Sequence, residues 1–102
     1  MQEKTIYGLP EDDFNNVLSI LKKNVKVVSA ILFGSRAKGT YTNGSDVDIT
    51  LIGDNLKLND INEISGEIES LFLPWRFDLI IFHRIKEEAL VEHINRVGIK
   101  LF

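Results

Sequence analysis

The sequence predicts an α+β fold in which helices alternate with the strands of a small mixed sheet, in the order α-β-α-β-α-β with a further helix at the C-terminus. Three observations carry that prediction. Apolar and β-branched runs at 25–33, from Val47 to Leu51 and at 75–82 are spaced through the chain as strands. Around them, apolar residues recur at three- and four-residue intervals, the period of a helix that buries one face. The first two runs are joined by a short, turn-rich link and the last two by a helix-length stretch, which sets the first pair antiparallel and the second pair parallel.

Taken in order, residues 1–9 read as a leader. Pro10 suits the first turn of a helix, Glu11, Asp12 and Asp13 stand where the helix dipole favours acids, and Phe14, Val17, Leu18 and Leu21 follow at helical spacing. Lys22-Lys23-Asn24 is a C-terminal signal, so the helix runs from about 10 to 24. Its three acids read as a solvated first turn rather than a metal site. Val25 to Phe33 reads as a strand buried on part of both faces, ended by Gly34. Ser35 to Lys38 makes one short helical turn, and Gly39 with Asn43-Gly44 brings the chain back into a strand starting near Asp46.

After a loop at 55–59, Leu58, Ile61, Ile64, Ile68, Leu71 and Phe72 mark an amphipathic helix from about 58 to 72. Pro74 breaks it, and Trp75 to Phe82 forms the third strand. The chain turns at His83-Arg84. Leu90, Val91, Ile94 and Val97 then mark a final helix ending before Gly98, followed by an apolar tail, Ile99 to Phe102, docked on the core. His83 and His93, isolated near helix ends, read as structural or exposed and receive no catalytic role.

Chemistry concentrates between Gly34 and Asp48. Side chains alternate along a strand, so Asp46 and Asp48 share one face while Val47, Ile49 and Leu51 take the other. The turn at Ser35 to Lys38 offers unpaired N–H groups to a phosphate, with the Ser35 hydroxyl as a further donor and Arg36 or Lys38 as a charge. Antiparallel pairing brings Ser35 and Asp46 to one edge of the sheet. Parallel pairing of the next strand brings Asp78 to the same end, with Arg76 on its face and placed to pair with a carboxylate. Two carboxylates ~4 Å apart at an effective dielectric of ~20 repel by about 4 kcal/mol, so three together rival a domain's whole stability and call for protons or cations. Oxygen-only donors favour magnesium or manganese over zinc.

Gly34-Ser35, ten intervening residues, then Asp46-x-Asp48, with Asp78 on a later strand, resembles the signature of the DNA polymerase beta superfamily of nucleotidyltransferases. At this length the chain looks like the minimal nucleotidyltransferases, among them the MntA-type antitoxins. The resemblance implies the nucleotidyltransferase fold. It implies that Gly34 and Ser35 cradle the nucleotide's phosphates, with Arg36 and Lys38 offsetting the charge of departing pyrophosphate. It also implies that Asp46, Asp48 and Asp78 are the catalytic carboxylates, holding Mg2+ or Mn2+ for a two-metal transfer with ATP as donor. Minimal nucleotidyltransferases of this kind accompany small helical HEPN-type ribonuclease toxins, which they neutralise by adding AMP to a tyrosine. An antitoxin that only masks its partner, keeping a nucleotide site without turnover, is the competing expectation, and a nucleotide-sensing regulatory domain is a third. The acceptor residue, the number of nucleotides added and the oligomeric state are left open.

Composition narrows the partners. At 102 residues, 44% hydrophobic and 26% charged, the chain suits one domain, 1–102, with one core and no room for a separate acceptor-binding domain. A net charge of −3 without a long basic run gives no support to direct nucleic-acid binding. Without cysteine, disulfides, thiolate catalysis and cysteine-ligated metals are excluded. No apolar run approaches the ~20 residues of a membrane span and no signal-peptide pattern opens the chain, so a cytoplasmic location is expected.

Overall fold

The structure, a computed structural model, describes residues 4–102 and begins with a hairpin of two short strands, β1 (Thr5–Ile6) and β2 (Leu9–Pro10). Tyr7 and Gly8 make its turn with left-handed φ values of 53° and 82°, the geometry whose twist matches a tight hairpin. The expected leader is thereby corrected over residues 4–9, while residues 1–3 of it lie outside the described residues. Leu9 is buried in the core and the Tyr7 ring meets Phe14 edge-on at 5.7 Å, so the segment folds back because it has apolar groups to bury. Helix α1 (Glu11–Lys23) follows directly and buries Phe14, Val17 and Leu21.

The first sheet strand, β3 (Ser29–Phe33), starts four residues later than the apolar run suggests. Val25 and Val28 are 93% and 72% exposed. Asn24 is the reason: its side-chain oxygen accepts from the Lys26 N–H at 2.9 Å and its carbonyl from the Val27 N–H at 3.0 Å, turning the chain before it can extend. Helix α2 (Gly34–Lys38) is the short turn expected after β3 and leads through a loop into β4 (Val47–Ile52). Helix α3 (Leu58–Glu69) is shorter than its pattern, because Phe72 adopts a left-handed φ of 54° and carries its ring, 91% exposed, away from the helix. Strand β5 (Phe77–Ile81), a 3-10 turn at Phe82–Arg84, helix α4 (Glu88–Val97) and strand β6 (Ile99–Lys100) complete the chain. The apolar tail thus pairs as a strand.

The sheet runs β5-β4-β3-β6. Strands β3 and β4 are antiparallel with Phe33 opposite Asp48; β4 and β5 are parallel with Asp48 opposite Asp78; β6 runs antiparallel along the far side of β3. Helices α1 and α3 share one face of this sheet, where Ala30, Leu32, Val47, Ile49, Leu51 and Ile81 join Leu21, Ile64 and Ile68 in one core. At about 25 cal/mol per Å2 each of the leucine, isoleucine and valine side chains among them contributes roughly 1.5–3 kcal/mol. The opposite face carries Phe33, Asp48 and Asp78 by alternation, and α4 packs over β3 on that side, with His93 edge-on to Phe33 at 6.2 Å.

Candidate active site

Strand topology builds the site. Strand β3 ends at Phe33 where β4 and β5 begin, so α2 and the carboxylates of Asp48 and Asp78 gather at one end of the sheet. Gly34 is placed there for a steric reason. Its φ is +74° and a Cβ at this position would run into the Asp48 carboxylate, so only glycine lets the backbone lie against that group. The Gly34 N–H donates to His93 Nε2 at 3.1 Å. Ser35 is half-buried, and among the described residues its hydroxyl has no side-chain partner. Lys38 is exposed.

The carboxylates are not equivalent. Burial, then the charges of Asp78 and Asp46, push the Asp48 carboxyl above the ordinary carboxylate range, against a smaller opposing influence of His93. Asp78, whose side chain is 37% exposed, is paired with Arg76 Nε at 3.1 Å, as the shared face of the two residues predicts. Asp46 is exposed, one residue before β4; its charge is felt at Asp48, yet among the described residues no group of three His, Cys, Asp or Glu side chains is close enough together to hold a metal. Asp48 and Asp78 are therefore brought together and Asp46 stands at their margin. The donor set is all oxygen, the chemistry a hard divalent cation takes, and its repulsion at Asp48 is offset only in part by His93 and by the Arg76 pair on Asp78.

Arg36 differs from its expected part, while His93, expected to be structural or exposed, takes a structural place beside the site. Arg36 is only 1% exposed, and its guanidinium donates to the main-chain carbonyls of Tyr7, Asn43 and Ser45. Its donors are engaged inside the protein, so it organises the loop before Asp46 rather than standing free for a phosphate. His93 enters the site from α4, through packing that no local motif marks. Its position three residues after Leu90 and four before Val97 puts it on the apolar stripe of that helix, and this was the available signal. A cavity of about 570 Å3 lies between α3 and the start of β5 and meets the site at Asp78.

Residues 15–102 match the family described as polymerase beta, nucleotidyltransferase. The chain belongs to this nucleotidyltransferase family. Comparison with curated protein sequences gives no match. Among solved structures, a chain of a toxin–antitoxin complex with AMP-PNP superposes with a TM-score of 0.71 at 24% identity, over 86% of this chain and 71% of that one. A substituted MntA–HpeT toxin–antitoxin complex gives 0.70 at 25% identity, over 87% and 71%. The complex of a tri-AMPylated HEPN toxin with its MNT antitoxin, from Shewanella oneidensis, gives 0.67 at 20% identity, over 90% and 71%. The nucleotidyltransferase fold is thus the α+β mixed sheet the sequence predicts, in the form that minimal nucleotidyltransferase antitoxins take. No described helix is long and apolar enough to cross a membrane.

Proposed function

We propose that this chain is a protein adenylyltransferase acting as an antitoxin: it transfers AMP from ATP to a hydroxyl, a tyrosine of a HEPN-type ribonuclease toxin, in the cytoplasm. The observation that carries the reading is the register of Asp48 with Asp78 beside the Gly34–Ser35 turn, which sets two carboxylates against a backbone approach that only glycine permits. Support also comes from similar structures, which hold AMP-PNP in one case and an AMPylated toxin in another.

In this reading the acceptor hydroxyl loses its proton to solvent and its oxygen forms a bond to the α-phosphorus as the bond from that phosphorus to the α–β bridging oxygen breaks, and pyrophosphate leaves. Asp48 and Asp78, with Asp46 at their margin, would hold divalent magnesium or manganese. Such an ion neutralises phosphate oxygens and makes a bound hydroxyl easier to deprotonate. Ser35 and the free N–H groups of α2 orient the triphosphate, and exposed Lys38 meets its outer charge. Asp78, the more open carboxylate, faces the acceptor. The chemistry asked of the protein is mainly positioning and electrostatic stabilisation.

A masking antitoxin is the second reading. What favours it is that Arg36 and the Gly34 N–H are already engaged within the protein, leaving fewer donors for a phosphate. Co-expression with the partner toxin separates the two. Asp46→Asn with Asp48→Asn relieves repulsion and keeps the fold. Transfer predicts that this variant fails to neutralise the toxin at normal dose; full neutralisation would favour masking.

A further inference from the structure

Arg36 presents a physical problem. A buried guanidinium is costly unless all its donors are satisfied, and among the described residues it forms no ion pair. Carbonyl dipoles satisfy it instead. Nε and Nη2 both donate to the Ser45 carbonyl, at 3.1 and 2.8 Å; Nη2 also reaches the Asn43 carbonyl at 3.3 Å, and Nη1 the Tyr7 carbonyl at 2.8 Å. The Tyr41 ring lies 5.1 Å from the guanidinium carbon. One side chain therefore ties together the N-terminal hairpin, α2 and the loop from 39 to 46. The two ends of this tie are telling: Arg36 follows Ser35 directly in the chain, and its doubly bonded acceptor directly precedes Asp46.

We propose that Arg36 is a positioning residue that fixes Asp46 relative to the Gly34–Ser35 turn, with the hairpin at residues 5–10 as its outer anchor. Asp46 lies outside the sheet, and no strand register holds it as β4 and β5 hold Asp48 and Asp78. Its place depends on the loop. A planar fork bonding one carbonyl twice resists rotation as well as translation, which a lysine ammonium cannot reproduce. Asn43 has a second tether, since its carbonyl also accepts from Trp75 Nε1 at 3.0 Å, whereas the Ser45 carbonyl, next to Asp46, is held by Arg36, and the other bonds of Ser45, its amide to the Thr42 carbonyl and its hydroxyl from the Thr42 N–H, stay inside the loop. The hairpin closes the device from outside: a Cβ on Gly8 would meet Arg36 Nη1 at 2.7 Å and collide with the Tyr41 ring.

The inference rests on the proposed nucleotide site for its functional meaning, but its test does not. Hydrogen exchange in the full chain reads the loop directly. Arg36→Lys should speed exchange of the Ser45 amide, which bonds the Thr42 carbonyl at 3.1 Å, by on the order of tenfold or more, as expected for a lost hydrogen bond to a charged donor. Amides of Leu32, Ile49 and Leu51 should stay protected. Gly8→Ala, on the hairpin, should act in the same direction. Should Arg36→Ala fold, methylguanidinium should restore loop protection; should it fail to fold, Arg36→Lys and Gly8→Ala still decide. The weakening of magnesium–ATP binding in these variants should follow the loss of loop protection. Unchanged loop exchange in Arg36→Lys would overturn the proposal, and so would loosened loops that leave nucleotide affinity intact. A wild type that binds no magnesium–ATP would instead count against the proposed function, with the clamp still read by exchange.

Discussion

Asp48→Asn should make the protein more stable in the absence of divalent cations. Asp48 stands opposite Asp78 on neighbouring parallel strands, and taking the ordinary strand spacing of ~4.8 Å as the charge separation gives a lower figure for their repulsion, since the two carboxyls approach closely enough to share a hydrogen bond. Coulomb's law then gives a repulsion of about 3 kcal/mol at an effective dielectric of ~20 and under ~1 kcal/mol in bulk water. Asp78 is 37% exposed and paired with Arg76, so screening places the relief at about 1–2 kcal/mol. In a domain of this size that raises the melting temperature by roughly 4–16 °C. The pH dependence has a definite sign. Burial and the neighbouring acids hold the folded-state pKa of Asp48 above its unfolded value, so folding favours the protonated form. The penalty is absent below the ordinary carboxylate range and grows as pH rises through the raised value. The advantage of the variant should therefore be near zero in acid and fully open at neutral pH, read by thermal and urea unfolding in EDTA. Asp54→Asn, which removes one charge from an exposed loop, is the control for net charge. Equal or lower stability of Asp48→Asn at neutral pH would refute the reasoning, because the two carboxylates would then not repel.

Other consequences are as specific. Asp60 accepts from the Lys57 N–H at 2.9 Å, Asn24 Nδ2 at 3.1 Å and Lys26 Nζ at 3.4 Å, and these bonds hold its carboxyl below the ordinary range. Its stabilisation is present above the unfolded pKa and lost as pH falls through the depressed one, so Asp60→Asn should lower stability at neutral pH and flatten the acid limb of a pH–stability curve. Leu51→Ala, at a fully buried site in the sheet's core face, should cost about 2–5 kcal/mol in urea unfolding. Gly34→Ala forces a Cβ into the Asp48 carboxylate at a left-handed φ; it should lose about 1–3 kcal/mol and abolish any thermal shift with magnesium and ATP, measured by scanning fluorimetry.

Legibility in the sequence followed the range of the forces involved. Helices α1, α3 and α4 and the three main strands were readable because each buries a periodic face, and their pairing followed from connection length. The register of Asp48 with Asp78 was readable only as a shared end of the sheet; the residue-by-residue match required the fold. Val25 and Val28 misled because apolarity does not ensure burial where an asparagine turns the chain. The hairpin and β6 were too short for periodicity, although the apolar tail marked something to bury. Arg36 looked like a surface cation beside a phosphate turn. Its burial depends on carbonyls contributed from positions 7, 43 and 45, a convergence that spacing along the chain does not encode. His93 was hidden for the same reason, since its partner Gly34 lies on a different element.

The central claim, transfer of AMP by the Asp48–Asp78 site, is tested most directly by incubating the protein and its partner toxin with magnesium and ATP labelled at the α-phosphate. The account predicts label on the toxin that survives denaturation, none when ATP is labelled only at the γ-phosphate, and none from Asp46→Asn with Asp48→Asn. Toxin that is fully neutralised by the wild type yet carries no α-label would contradict it.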